Sequence, residues 1–314
     1  MVHGSGPIFY AKPIQGTDML RTIILETPGV IDTLKSEQTN IHWKSLFCDA
    51  EQQGVRIISA SYDNVSGTMQ LSKQCAADES LLIASTAELL SQADILGIPC
   101  IAFGPQVPAY RTAYHILSPE GAEFYYLLQV HQRLSGEAVV IAQTERLLIR
   151  EMTVEDAGAM WEIQHGDEVR LYIDGFSDDK QAEEEKHIAY VKNVYPLYGY
   201  GLWAVCLKES GKLIGRCGIQ DCECNGKCET ELGYLFDPAV WGQGYATEAV
   251  RAVVGYAFSR LEMQSIIALI KPENERSVRV AMRSGMKFQQ YVIRNGEQFA
   301  CFRISNISID NYER

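Results

Sequence analysis

The sequence predicts an α/β protein of two domains, a smaller one over residues 1–140 and a second one over residues 145–314. The chain has 314 residues, about twice the ~150 of a typical domain. Hydrophobic residues make up 46% of the chain and charged residues 22%, as in globular proteins with a sizeable core. The first half alternates strand and helix patterns, whereas the second half contains strands joined by tight Asn-Gly turns.

The formal net charge of −12 comes without any block of basic residues. Nucleic acid is therefore not expected as a partner, because phosphates are bound by clustered cations. An acidic chain favours a cationic small molecule or peptide, although the charge also has a plain alternative in solubility alone.

No apolar run reaches the roughly 18–20 residues that cross a bilayer, so no membrane association is expected. Residues 1–7 lack the basic start and apolar stretch of a secretory signal. The nine cysteines are odd in number and too sparse for a disulfide scaffold. A cytoplasmic protein with free thiols is expected.

A β-α-β unit is the clearest feature of the first half, and it predicts a Rossmann-like domain. Leu81–Ala84 is expected as a buried strand, and Ser85 with Glu88 as the capping box of the helix that follows. Gly97 is placed to end that helix before the strand 98–103. A further helix is expected to begin at 118–119.

This unit resembles the final strands of a haloacid dehalogenase-like domain. That family uses an Asp-x-Asp pattern after its first strand, and acidic metal ligands where Ser85 and Thr86 stand in this chain. No Asp-x-Asp occurs before residue 140. The resemblance therefore implies a degenerate domain used for docking, dimerisation or shaping an acceptor cleft, with a homodimer left open.

The most informative segment runs from Asp237 to Ala249 and reads Asp-Pro-Ala-Val-Trp-Gly-Gln-Gly-Tyr-Ala-Thr-Glu-Ala. It follows a strand and opens an amphipathic helix expected over 244–260. Gly242 and Gly244 allow the backbone to turn tightly and approach a ligand. Amide groups at the positive end of a helix dipole suit a phosphate or pyrophosphate, whereas a simple turn is the alternative.

A second segment runs from Pro272 to Phe288 and follows the apolar strand 265–270. It contains Asn274-Glu-Arg-Ser277 at the start of a helix and Gly-Met-Lys-Phe after its end. A structural interpretation makes Asn274 the N-cap and Ser277 a first-turn residue.

Together these two segments resemble the GNAT superfamily of acetyl-CoA-dependent N-acetyltransferases. The first is similar to the family's pyrophosphate loop, Arg/Gln-x-x-Gly-x-Gly/Ala, with Trp241 at the Arg/Gln position. That variant is similar to the branch of ribosomal-protein N-terminal acetyltransferases. The second is similar to the family's Asn-x-x-Ser/Ala helix.

The resemblance implies a mixed, mostly antiparallel sheet flanked by helices, with a cleft where the strand near 230–236 splays from 265–270. It implies transfer of an acetyl group from acetyl-CoA to a primary amine, on a small molecule or a protein N-terminus, without a metal. The residues implied to bind the cofactor are Leu235, Phe236, Gly242, Gln243, Gly244, Tyr245, Ala246, Thr247, Asn274 and Ser277.

The resemblance also implies the chemistry of the site. Many relatives carry a tyrosine acid seven residues after the asparagine, where this chain has Ala281. Ser277, near the thioester sulfur, or water is then left to protonate the leaving thiolate. A backbone N–H on the strand 233–236 is the implied oxyanion donor. Glu231, two residues earlier, is the candidate proton acceptor, with a solvent-facing strand glutamate as the alternative.

The acceptor side is less defined. Acidic residues between the first two helices of this domain are candidates to attract a cationic acceptor, or form a solvated loop. They are Asp167, Glu168, Asp174, Asp178 and Asp179. Tyr172, Phe176 and Trp203 are candidates to line the cleft or to belong to the core. Four cysteines, Cys217, Cys222, Cys224 and Cys228, lack the Cys-x₂-Cys spacing of zinc sites and are expected to be free thiols.

Two alternatives to an active acetyltransferase stay open from the sequence. One is an acyl-CoA-binding module that has lost catalysis, which the absence of the tyrosine suggests. The other is an enzyme of two activities with a phosphatase as its first domain, which the missing aspartates disfavour.

Overall fold

A computed structural model describes residues 20–27, 29–32, 37–105, 114–118, 123–173 and 175–306. These residues form two compact units, with Val139 the last residue of one and Val140 the first of the next. Within the described ranges, no helix has the length and apolar character needed to span a membrane.

The first unit is built on a sheet of six strands in the order β3-β2-β1-β4-β5-β6. The strands are β1 Thr22–Glu26, β2 Arg56–Asp63, β3 Thr68–Leu71, β4 Ser80–Ala84, β5 Cys100–Phe103 and β6 His115–Ile116. The helices are α1 Gly29–Asp32, α2 Glu37–Gln52, α3 Ala87–Leu96 and α4 Phe124–Leu134. All neighbours pair in parallel except the edge strand β3, which is antiparallel to β2. The Rossmann-like α/β class predicted for this half is confirmed.

Strand β1 lies at the centre of this sheet and is buried along its whole length. Ile23 and Leu25 pack into a core on one face with residues of α2 and α4. Ile24 packs into a second core on the other face with residues of α3. The unit is therefore a layer of strands between two layers of helix.

Two expectations for this unit were wrong. Ser85 does not cap α3, because the N-cap is Thr86 and no side chain makes the capping hydrogen bond. Instead the hydroxyls of Ser85 and Thr86 both donate to the carboxylate of Glu26 at the end of β1. Helix α4 begins at Phe124 rather than at 118–119, and Pro119 lies outside the described residues.

The second unit has an eight-stranded sheet in the order β13-β14-β12-β11-β10-β9-β8-β7. Its strands are β7 Val140–Gln143, β8 Leu147–Arg150, β9 Leu202–Leu207, β10 Leu213–Cys224, β11 Lys227–Phe236, β12 Ser265–Ile270, β13 Lys287–Arg294 and β14 Glu297–Ser305. Every pair is antiparallel except β11 with β12. The predicted mixed, mostly antiparallel sheet is confirmed.

Helices flank this sheet, and local sequence sets their ends. They are α5 Ala157–Gln164, α6 Asp167–Arg170, α7 Lys180–Tyr198, α8 Tyr245–Ser259 and α9 Glu275–Arg283. Thr153 and Asp156 form a capping box before α5, and Asp179 accepts hydrogen bonds from the first turn of α7. Helix α8 packs against β7, β8, β10 and β11 through a fully buried face that includes Val250 and Val253.

Strands β11 and β12 are in register only at Glu231 and Ile267. On its other side β11 stays paired with β10 as far as Phe236 opposite Gly215. The last residues of β11 therefore have a strand neighbour on one side only, and the sheet opens there, as the family resemblance implied.

Candidate active site

A cavity of about 260 Å³ lies beside this open end of β11. Its walls come from four segments of the second unit: α6 and the residues after it, the end of β11, the glycine loop with the start of α8, and α9. The lining residues are Glu168, Val169, Tyr172, Ile173, Tyr234, Leu235, Phe236, Val240, Trp241, Gly242, Gly244, Tyr245, Ala246, Thr247, Asn274, Arg276, Ser277, Arg279, Val280 and Arg283.

The glycine loop has the backbone geometry that its sequence demands. Gly242 and Gly244 have φ values of 79° and 86°, in the left-handed region that glycine adopts at little cost. Gly244 is the N-cap of α8, and no side chain caps the helix there. An α-helix leaves its first N–H groups without internal partners, so the start of α8 presents donors and a positive dipole end to the cavity.

An ion pair between Arg146 and Glu248 holds this loop in place. The Glu248 carboxylate accepts from the Thr144 hydroxyl at 2.6 Å and from Arg146 Nε at 2.7 Å. Arg146 also donates to the Gln243 carbonyl at 3.0 Å, and its guanidinium lies 4.3 Å from the centre of the Tyr245 ring. Burial raises the pKa of Glu248, but hydrogen bonds from Thr144 and Arg146 outweigh it, so the pKa is lowered. The loop is thus fastened to the segment before β8.

The opposite wall is the first turn of α9. Asn274 caps the helix, because its Oδ1 accepts from the Ser277 N–H at 3.1 Å, and both residues line the cavity. The structural interpretation of Asn274 is therefore confirmed, and it leaves the side-chain NH₂ group of Asn274 to donate elsewhere. Ala281, at the position where many relatives carry a tyrosine, is fully buried and does not line the cavity.

Tyr234 supplies a hydroxyl that the sequence analysis did not single out. Its O–H donates to the Ser277 carbonyl at 3.0 Å, and the residue lines the cavity. Burial raises the pKa of Tyr234 well above its usual range, and the hydrogen bond to Ser277 offsets this only in part. Tyr234 therefore keeps its proton at neutral pH.

Three arginines of α9 also went unrecognised in the sequence. Arg276, Arg279 and Arg283 line the cavity and make its helical wall cationic. Arg279 is paired with Glu275 at 3.0 Å. The Arg276 guanidinium lies 4.6 Å from the centre of the Trp241 ring.

Some predicted site residues lie elsewhere. Glu231 is buried, its carboxylate is 2.9 Å from Arg294 Nη1, and it does not line the cavity. Gln243 also lies outside the cavity wall, because its carbonyl is bound by Arg146 and its side chain donates to the Ala239 carbonyl at 3.3 Å. The other residues predicted to bind the cofactor all line the cavity.

The acceptor-side candidates divide in the same way. Glu168 and Tyr172 line the cavity, whereas Trp203 is fully buried against Tyr256. Phe176 packs beneath the Arg216 guanidinium. Asp178 pairs with Arg170, Asp179 caps α7, and Asp174 lies outside the described residues.

The nine cysteines are all free. Burial raises the pKa of Cys222 to about 12 and that of Cys301 to about 11, so both are thiols at neutral pH. Across the residues that the structure describes, no group of three or more His, Cys, Asp or Glu is arranged to hold a metal ion.

Comparisons with known proteins match the second unit to an acyltransferase. The model of the acetyltransferase (GNAT) domain family matches residues 146–287. The uncharacterized protein YkkB of Bacillus subtilis (strain 168) is 32% identical over 150 residues, which cover 48% of this chain and 86% of that protein. The uncharacterized N-acetyltransferase p20 of Bacillus licheniformis is 34% identical over 152 residues, covering 47% and 81% respectively.

Among solved structures, a GNAT-family acetyltransferase from Bacillus anthracis is 28% identical and superposes with a TM-score of 0.43, covering 52% of this chain and 96% of that one. The family match and the curated relatives place this chain in the GNAT acetyltransferase family. The closer placement among ribosomal-protein acetyltransferases and the haloacid dehalogenase-like resemblance of the first half remain predictions.

Proposed function

We propose that the second unit transfers an acetyl group from acetyl-CoA to a primary amine by direct attack of the amine on the thioester. The observation that carries this proposal is the cavity at the open end of β11. There the start of α8, the first turn of α9 and Tyr234 line a common space, and the Tyr234 hydroxyl donates to the Ser277 carbonyl. This arrangement offers phosphate donors at one end and a proton donor at the other.

In the proposed complex, the pyrophosphate of the cofactor is bound by N–H groups between Gly242 and Thr247. Asn274 donates from its side-chain NH₂ group to the pantetheine arm, since its Oδ1 is already taken by Ser277. Leu235 and Phe236, at the end of β11, form the apolar wall along the arm. The thioester then lies near Ser277 and Tyr234.

The reaction needs an uncharged amine close to the thioester carbonyl, so positioning carries much of the rate. The nitrogen forms a bond to the carbonyl carbon, and the carbonyl oxygen becomes an oxyanion stabilised by a backbone N–H of β11. When the intermediate collapses, the carbon–sulfur bond breaks and the thiolate takes the Tyr234 proton. The attacking nitrogen loses its proton to a carboxylate, directly or through water, and that proton is then returned to the tyrosine hydroxyl.

Two carboxylates compete for the role of proton acceptor. Glu231 is the sequence-based candidate, but in this structure it is bound to Arg294 and must act through water. Glu168 lines the cavity directly and is exposed to solvent, so it also attracts a cationic acceptor. We favour Glu168 for contact with the acceptor and keep Glu231 as the alternative base.

The acceptor class that fits best is a primary amine that is cationic when free, on a small molecule or a protein N-terminus. Its ammonium group loses one proton to solvent before attack. The acidic chain, with a formal net charge of −12, favours its approach over that of an anion.

Isothermal titration with acetyl-CoA, followed by thiol release with a panel of primary amines, tests the proposal. Wild type is expected to bind, and Gly244→Glu to bind at least about 100-fold more weakly, because a carboxylate would occupy the pyrophosphate site. Asn274→Ala is expected to bind more weakly than wild type, by about tenfold.

Gly211→Glu is the matched control, because Gly211 has a φ of 70° in the exposed β9–β10 turn and so carries the same backbone cost. It is expected to bind as wild type does. Failure of wild type to bind acetyl-CoA would exclude the proposal. Binding without amine-dependent thiol release would instead indicate a module that has lost catalysis.

A further inference from the structure

The loop expected to hold the pyrophosphate has no cationic side chain of its own. From Trp241 to Thr247 it offers only aromatic, small and amide residues. A pyrophosphate carries charge that backbone N–H groups neutralise only in part, so a guanidinium beside the loop is a strong addition. The cavity has such groups on α9.

Of these groups, Arg276 is the one placed against the loop. Its guanidinium lies 4.6 Å from the centre of the Trp241 ring, within range of a cation–π contact. Arg279, by contrast, is paired with Glu275. Within the described part of the chain, no carboxylate pairs with Arg276, so its N–H donors are free for an anion.

Trp241 is itself held in position. Its indole Nε1–H donates to the Phe236 carbonyl at 2.9 Å, at the end of β11. The ring is therefore anchored along one edge and presents a face to Arg276. Tryptophan is the best aromatic partner for a guanidinium, and the stack limits how far the arginine swings into solvent.

We propose that Arg276 binds the cofactor's pyrophosphate and that Trp241 is the positioning residue that holds it there. The inference rests on the proposed function, because it assumes that coenzyme A occupies the cavity. Helix α9 then contributes the cation that the loop lacks. The guanidinium adds two parallel hydrogen bonds to phosphate oxygens opposite the amides of Gly242 and Gly244.

Titration of the full chain with acetyl-CoA and with its 3′-dephospho analogue tests this assignment. Arg276→Gln is expected to weaken both ligands by the same factor, about tenfold or more, since both contain the pyrophosphate. Arg276→Lys keeps the charge but loses the planar fork, so an intermediate loss is expected. Lys287→Gln, which removes one positive charge from an exposed residue that does not line the cavity, is expected to bind both ligands as wild type does.

The positioning role has a separate readout. Trp241→Leu is expected to weaken acetyl-CoA binding about three- to tenfold. Added to Arg276→Gln, it is expected to cause little further loss, because the two residues act through one contact. A full additive loss in the double variant would show that Trp241 contributes independently of Arg276.

The outcomes separate this inference from the proposed function. Loss of affinity for acetyl-CoA but not for the 3′-dephospho analogue would move Arg276 to the 3′-phosphate and overturn the assignment. Equal binding by Arg276→Gln and wild type would overturn it as well, while leaving acetyl-CoA binding intact. Only failure of the wild type to bind would contradict the proposed function.

Discussion

The two ends of strand β11 differ in what surrounds them. At the first end, Glu229 and Glu231 form ion pairs with Arg303 and Arg294 at 2.7 and 2.9 Å. At the last end, from Tyr234 onward, the residues line the cavity. Strand β11 pairs with β12 at Glu231, and beyond this residue the two strands are no longer paired. The first part of this strand is therefore tied to neighbouring strands by ion pairs, whereas its last three residues line the cavity.

The difference shows why the type of residue alone does not assign a role on this strand. Glu231 has the chemistry of a general base, but an arginine already occupies its carboxylate. Tyr234 is an ordinary strand residue by pattern, yet its hydroxyl lies beside the first turn of α9. The point where β12 stops pairing decides which side chains reach the cavity.

The sharpest test of this comparison is Tyr234→Phe. We expect kcat to fall about 100-fold or more, because the leaving thiolate loses its proton donor, with little change in affinity for acetyl-CoA. The measurement is thiol release at saturating acetyl-CoA. Tyr198→Phe, at an exposed tyrosine outside the cavity, is the control and should retain the wild-type rate. An unchanged rate in Tyr234→Phe would return the proton donation to Ser277 or water.

At the other end of the strand, Glu231→Gln is expected to act mainly on stability. The substitution removes the negative charge that faces Arg294, and we expect the free energy of unfolding to fall by about 1–3 kcal/mol. Urea denaturation measures this, and kcat is measured on the same preparation. A hundredfold loss of kcat at unchanged stability would instead establish Glu231 as the base.

The parts of the site that the sequence predicted depend on local rules. The φ values of Gly242 and Gly244 and the start of α8 follow from neighbouring residues, so the loop was recognisable. Asn274 lies only three residues before Ser277, whose N–H donates to it, so this cap was recognisable for the same reason.

The parts that the sequence did not predict depend on distant partners. Glu231 and Arg294 are 63 positions apart, and Tyr234 and Ser277 are 43 apart. By the local capping rule Ser85 was expected to cap α3, yet its hydroxyl donates to the buried carboxylate of Glu26, 59 positions earlier. No periodicity along one segment encodes such contacts, because they arise only when strands and helices from separate segments pack together.

A smaller effect is expected from Glu168→Gln, which tests the acceptor side of the open end. The side chain is exposed, so its attraction for a cationic amine is partly screened. We expect the KM of the amine to rise about two- to fivefold, with stability and affinity for acetyl-CoA unchanged. The rise should shrink at high salt and vanish for an uncharged amine. A fall in kcat instead of a rise in KM would make Glu168 the base.

The smallest expected effect concerns the pH dependence of stability at the paired end. A hydrogen bond from Arg303 lowers the pKa of Glu229 below its ordinary value, and burial opposes this only in part. The folded state therefore binds its proton less readily than the unfolded state. The resulting stability is present above the ordinary glutamate pKa of about 4.3 and is lost as the pH falls through the lower, folded value.

Urea denaturation of wild type and Glu229→Gln between about pH 3 and pH 7 measures this contribution. We expect the difference between their free energies of unfolding to narrow as the pH falls, because protonation removes the charge that the substitution removes. Tyr234→Phe should leave that pH dependence unchanged, since the tyrosine remains protonated throughout the range. A difference that stays constant with pH would mean that Glu229 stabilises the strand by packing rather than by its charge.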